Sequence, residues 1–94
     1  MNRGQKFERI KEVFQKHFID LEFDQDIGRR RYSIYVKFSI ETQNIFRITY
    51  ECLDDHNLEV ILNVLRAKMP EIEQFMDNPI ILKTDLRFHI DELG

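Results

Sequence analysis

Between Arg31 and Glu41 apolar and polar side chains alternate without a break. Tyr32, Ile34, Val36, Phe38 and Ile40 point one way; Arg31, Ser33, Tyr35, Lys37, Ser39 and Glu41 point the other. A period of two sustained over that length describes a strand with one buried and one wetted face. The pattern resumes after Thr42-Gln43-Asn44, with Phe46, Ile48, Tyr50 and Cys52 on the inward side. Keeping the apolar faces together predicts Ile40 opposite Phe46 and Phe38 opposite Ile48. That register leaves a three-residue loop with Asn44 as its left-handed residue. A slip of one residue would turn Arg47 and Glu51 into the core.

A sheet with one oily face needs something to cover it, and the remaining segments supply the cover. Phe7, Ile10, Phe14, His17 and Phe18 recur at spacings of three and four, with Val13 beside them, and predict a helix over residues 5–18. Leu58, Ile61, Leu62, Leu65 and Met69 form a second such stripe, entered through Asp54-Asp55-His56-Asn57 as a capping segment. Pro70 ends or kinks that helix and opens a short further one carrying Ile72, Phe75 and Met76, which Asn78-Pro79 stops.

Two more extended stretches complete the chain. Ile19, Leu21 and Phe23 alternate with Asp20, Glu22 and Asp24, and Asp26-Ile27-Gly28 breaks the run, with Gly28 free to take a positive φ. Ile80, Leu82, Thr84, Leu86, Phe88 and Ile90 alternate with Lys83, Asp85, Arg87, His89 and Asp91, predicting one long strand. The expectation is a single α+β domain over residues 1–94 with the order α-β-β-β-α-α-β. It is a two-layer sandwich: a four-stranded, mostly antiparallel sheet with its helices on one face. The last strand, arriving after a helical crossover, is expected beside the first.

Charge and cysteine content narrow the function classes. The formal net charge is −3, too small to predict a polyanionic or polycationic partner. It is unevenly spread: residues 1–50 carry ten basic and seven acidic side chains, residues 51–94 four basic and ten acidic. Such asymmetry suits head-to-tail self-association or a partner surface of both signs. Cys52 is the only cysteine, so an intrachain disulfide is excluded and a cytoplasmic protein is the default. No secretory h-region, lipidation signal or membrane-length apolar run is expected to place the chain at a membrane.

The residue types that carry chemistry do not converge. Gly4, Gly28 and Gly94 lie far apart and form no phosphate-binding loop. Cys52, Asp54, Asp55 and His56 are close in sequence, but the aspartates read as caps, and neither a metal site nor a cofactor is expected. A Cys52–His56 nucleophile pair lacks any group to stabilise an oxyanion, and the inward cysteine reads as packing, so no enzyme is expected. Nucleic acid is the alternative partner: Arg29-Arg30-Arg31 sits at a hairpin, and Tyr35, Lys37, Arg47, Lys83 and Arg87 share the polar sheet face. Asp20, Glu22, Asp24, Glu41, Glu51 and Asp85 on that face answer those charges through cross-strand pairs.

A protein partner, or a second copy forming a homodimer, is the leading expectation. Tyr35 and Ile45 stand on the wetted face, with Ile81 and Leu53 beside them, and Val60 and Val64 widen the helix stripe. The expected partner-binding residues are Tyr35, Arg47, Ile45, Arg31 and Lys37, an aromatic anchor ringed by charge. The order of a leading helix, a three-stranded meander and a following helix is similar to small secretion chaperones and to some short phage-encoded CRISPR inhibitors. The likeness implies an adaptor, inhibitor or dedicated chaperone of the kind phages and mobile elements encode. The strong negative charge of DNA-mimicking inhibitors is absent.

Overall fold

The computed structural model describes residues 1–92. Helix α1 (Arg3–His17) is followed by strands β1 (Leu21–Asp26), β2 (Arg31–Lys37) and β3 (Gln43–Thr49). Helices α2 (Tyr50–Asp55) and α3 (Leu58–Ile72) come next, and then strands β4 (Ile80–Leu82) and β5 (Phe88–Ile90). The strands form one sheet in the order β1-β2-β3-β4-β5, with β3 and β4 parallel and every other pair antiparallel. The α+β class therefore holds. The sheet has five strands rather than four, and the returning strand lies beside β3, at the far side from β1.

Local chemistry starts each helix. Asn2 caps α1 by accepting from Gln5 N at 2.8 Å, and the Gln5 side chain returns a bond to Asn2 N at 2.9 Å. This reciprocal box satisfies two otherwise unpaired amides. Thr49 Oγ1 accepts from Cys52 N at 3.1 Å and turns the end of β3 into α2, where a continuing strand was expected. Asn57, the last residue of the expected capping segment, caps α3 through Val60 N, whereas Asp54 and Asp55 close α2. α3 runs through Pro70 to Ile72, so no separate helix starts there.

The core lies between the helices and one sheet face. Phe7, Ile10 and Phe14 of α1 and Ile61, Leu65, Met69 and Ile72 of α3 meet Ile34, Val36, Phe46, Ile48 and Leu82. Phe7 stacks on Tyr32 with ring centroids 4.1 Å apart, and Phe14 tilts onto Phe46 at 5.2 Å. The alternation assigned inward positions correctly from Tyr32 to Val36 and from Phe46 to Cys52. It failed at Ile19, Phe38, Ile40 and Ile90, which are exposed.

The second hairpin accounts for Phe38 and Ile40. β2 stops at Lys37, and the observed register pairs Ile34 with Phe46 and Tyr32 with Ile48. Residues 38–42 form the loop, closed by Phe38 N and Ser39 N donating to Thr42 O. Asn44 lies within β3 rather than at a turn. Its Nδ2 donates to Ile72 O and Gln74 O, and its Oδ1 accepts from Met76 N, each at 2.7 Å. In the first hairpin the left-handed residue is Arg30 (φ 54°), not Gly28. The expected long last strand is a hairpin turning through Leu86 (φ 60°), with Leu86 N donating to Lys83 O at 2.9 Å.

Candidate docking surface

The wetted sheet face carries the residues expected to bind a partner, but the fold separates them into two groups. Arg31 and Arg47 are buried, 5% and 4% exposed. Each donates an Nη1 hydrogen bond to the same Asp91 oxygen at 2.8 Å, and Arg47 Nε also reaches Ser33 Oγ at 3.1 Å. Asp91 is held in turn by its backbone N–H on Pro79 O. The segment after β5 thus lies over the middle of the sheet, and the two arginines tie it down instead of facing solvent. The expectation that they form an exposed charged ring is corrected accordingly. Their burial needs a shared counter-charge, and Asp91 supplies it.

Tyr35, Ile45 and Lys37 lie nearer the loop end of the sheet and remain partly accessible. Tyr35 and Ile45 stand directly opposite each other on β2 and β3, and Lys37 Nζ donates to Glu22 Oε1 at 2.6 Å across the β1–β2 pair. Ile81 and Leu53, expected beside them, are both buried.

Four large apolar side chains crowd the same end of the molecule, and the alternation pattern had assigned three of them to the core. Ile19 and Ile40 are fully exposed, Phe38 is 42% and Phe75 54% exposed. Lys37 N donates to Asp20 O, so the β1–β2 pairing continues one residue past Leu21, to Asp20 and Lys37. A hollow lined by Asp20, Lys37, Ile40 and Gln43 adjoins another lined by Gln43, Ile45 and Phe75. Glu41 borders both. Ile40 thus lines the first hollow and Ile45 and Phe75 the second, with Lys37 and Glu41 among them, while Ile19 stands just before β1 and Phe38 just past the end of β2.

The basic hairpin is answered by carboxylates. Arg30 Nε lies 3.1 Å from Glu51, and Arg29 Nε 3.9 Å from Asp26, whose Oδ1 also accepts the Arg29 amide. The Glu51 carboxyl is held below its ordinary range by the bond to its own backbone amide and by Arg30. Arg3, stacked 4.0 Å above the Tyr50 ring, pairs with Asp54 and lowers that carboxyl. Lys6 Nζ donates to the carbonyls of Leu53 and His56 and so closes the C-terminal end of α2.

The sequence-adjacent Cys52 and His56 do not form a nucleophile and base. Cys52 is fully buried, and burial first, then Asp55 and Asp85, pushes its thiol up to about 11. His56 Nε2 donates instead to Thr84 O at 2.6 Å. His17 lies at the surface against Glu73 at 2.9 Å, where a partly buried core position was expected, and His89 pairs with Asp85 at 2.9 Å. Among the described residues no group of three or more His, Cys, Asp or Glu side chains is arranged to hold a metal ion. Among the same residues no helix is long and apolar enough to cross a membrane. No family model, curated protein or solved structure matches the chain significantly.

Proposed function

We propose that this chain is a non-enzymatic protein-binding module that works through surface complementarity. It would serve as an adaptor, inhibitor or dedicated chaperone in the cytoplasm. The observation that carries the reading is the set of exposed apolar side chains toward the loop end, two isoleucines wholly in water and two half-exposed phenylalanines. Single exposed apolar residues are ordinary, but several toward one end of a molecule, with charges among them, suit a docking surface. Tyr35, Ile45 and Lys37 form the flank of that surface on the sheet face, whereas Arg31 and Arg47 lie toward the other end of the sheet and fix the chain at Asp91. Nucleic-acid binding through Arg29–Arg31 draws less support, because each of the three guanidinium groups faces a carboxylate.

The test starts with capture from an extract of the native host, followed by reconstitution with the purified partner. Ile40→Asp and Phe38→Asp are expected to abolish binding, and Tyr35→Ala to weaken it by about tenfold, the loss of roughly 1.4 kcal/mol. Ile40 and much of Phe38 lie outside the core, so thermal stability should stay within ~0.5 kcal/mol of the parent. Molar mass in solution reports whether the partner is a second copy. Partner binding that survives all three substitutions overturns the reading.

A further inference from the structure

β1 forms one edge of the sheet: β2 pairs with it on one side, and among the described residues no strand pairs with it on the other. The Lys37 N to Asp20 O bond fixes which backbone groups face outward. In an antiparallel ladder hydrogen-bonded pairs alternate. Asp20, Glu22, Asp24 and Asp26 therefore turn their N–H and C=O groups toward β2. Leu21, Phe23 and Gln25 turn theirs away from the sheet. Proteins usually blunt such an edge with proline, a bulge or charged side chains, lysine above all. β1 reads Leu-Glu-Phe-Asp-Gln-Asp: it has no proline, bulge or lysine, and its charges are all acidic, which repel an acidic strand and admit a basic one.

The two flanks of this edge differ in chemistry. On the wetted face, Asp20, Glu22, Asp24 and Asp26 form a row of carboxylates at every second residue. Lys37 answers Glu22 and Arg29 lies at Asp26, but among the described residues Asp20 and Asp24 have no ion-pair partner. On the helix side a groove of about 320 Å3 runs between α1 and β1, with Phe7, Phe23 and Lys11 in its walls. Phe7 and Phe23 meet edge to face at 6.5 Å, and Lys11 Nζ lies 5.0 Å from the Phe23 ring centroid.

We propose that β1 takes up an extended segment of a partner protein as a sixth strand, and that this segment alternates apolar residues with lysine or arginine. Its backbone bonds to the outward groups of Leu21, Phe23 and Gln25. Its apolar side chains enter the groove beside Phe7 and Phe23, and its cations lie along the carboxylate row. Charge argues against a second copy on this edge. Antiparallel β1–β1 pairing would set two rows of carboxylates side by side, and like charges placed opposite destabilise a sheet. The edge runs toward the exposed Ile19. The proposal therefore rests on the protein-binding reading and names the kind of segment bound.

The probe is a short capped peptide alternating valine with lysine, compared with one alternating valine with glutamate. At low salt the lysine peptide is expected to bind and to slow amide exchange at Leu21, Phe23 and Gln25. Glu22→Lys with Asp24→Lys should weaken it by about tenfold, in line with two cross-strand charge pairs reversed. Equal affinity for the two peptides, no binding, or protection confined to other elements overturns the proposal. If the native partner tolerates the double reversal yet is lost with Ile40→Asp, the edge assignment fails while the binding-module reading stands. Insensitivity to both sets of changes removes the two together.

Discussion

Asn44 does more for this fold than its place near a turn suggests. Its amide bonds to the last residue of α3 and to two points just beyond it, and so fixes how the helix layer returns to the sheet. A net contribution of about 1 kcal/mol per bond, plus the penalty for stranding backbone groups, puts Asn44→Ala at roughly 2–3 kcal/mol of destabilisation by urea unfolding. Asp91 is the other polar centre. Asp91→Ala removes the carboxylate that Arg31 and Arg47 share, and should cost about 3 kcal/mol in the same measurement. Cys52 gives a pH signature. Its unfolded thiol ionises near 9.0, whereas the folded one holds its proton to about 11. The native state therefore binds more protons in that window, and this contribution to stability is lost as pH rises through it. Cys52→Ala should flatten the alkaline limb of a stability–pH curve, and a thiol reagent at pH 8 should label Cys52 only on unfolding.

At the scale of elements, the two failures of the alternation share one cause. The loops of residues 38–42 and 83–87 are both five residues long, an odd number. A loop of odd length returns the chain with the same parity on the same face, so the even-numbered apolar pattern runs straight through the turn. Phe38 and Ile40 therefore read as strand, and β4 and β5 read as one strand. The first hairpin has a four-residue loop, which switches parity between Phe23 and Tyr32 and made its break visible. Pro70 is an element-scale oddity: it sits inside α3 without an N–H to donate. It lies within three residues of the helix end, so Pro70→Ala should raise stability only modestly, by about 1 kcal/mol, read as a higher melting temperature.

For the molecule as a whole, surface carboxylates set the acid limit. Glu51, Asp54 and Asp85 are all held below their ordinary values, the first and third chiefly by backbone amides and Asp54 chiefly by Arg3. A carboxyl lowered in the folded state stabilises above its unfolded value and loses that contribution as pH falls through the folded one. Stability should therefore decline below about pH 4, and Asp54→Asn should shallow that decline in a series of urea melts at graded pH. The candidate docking surface is also a whole-molecule property. It joins residues 19, 38–40, 45 and 75, which come from three separate stretches of chain and meet only through the sheet register and the return from α3.

The sequence by itself determined the helical character of α1 and α3, the extended character of β1, β2 and β3, the α+β class, and the inward faces of α1, α3, β2 and β3. Those follow from local periodicity, which each segment carries within itself. Tertiary structure alone decided where β2 ends, that the last segment is a hairpin beside β3, and that Arg31 and Arg47 lie beneath Asp91. Pairing register and the path of a distant segment are set by contacts between residues far apart in the chain, and no period in one stretch encodes them.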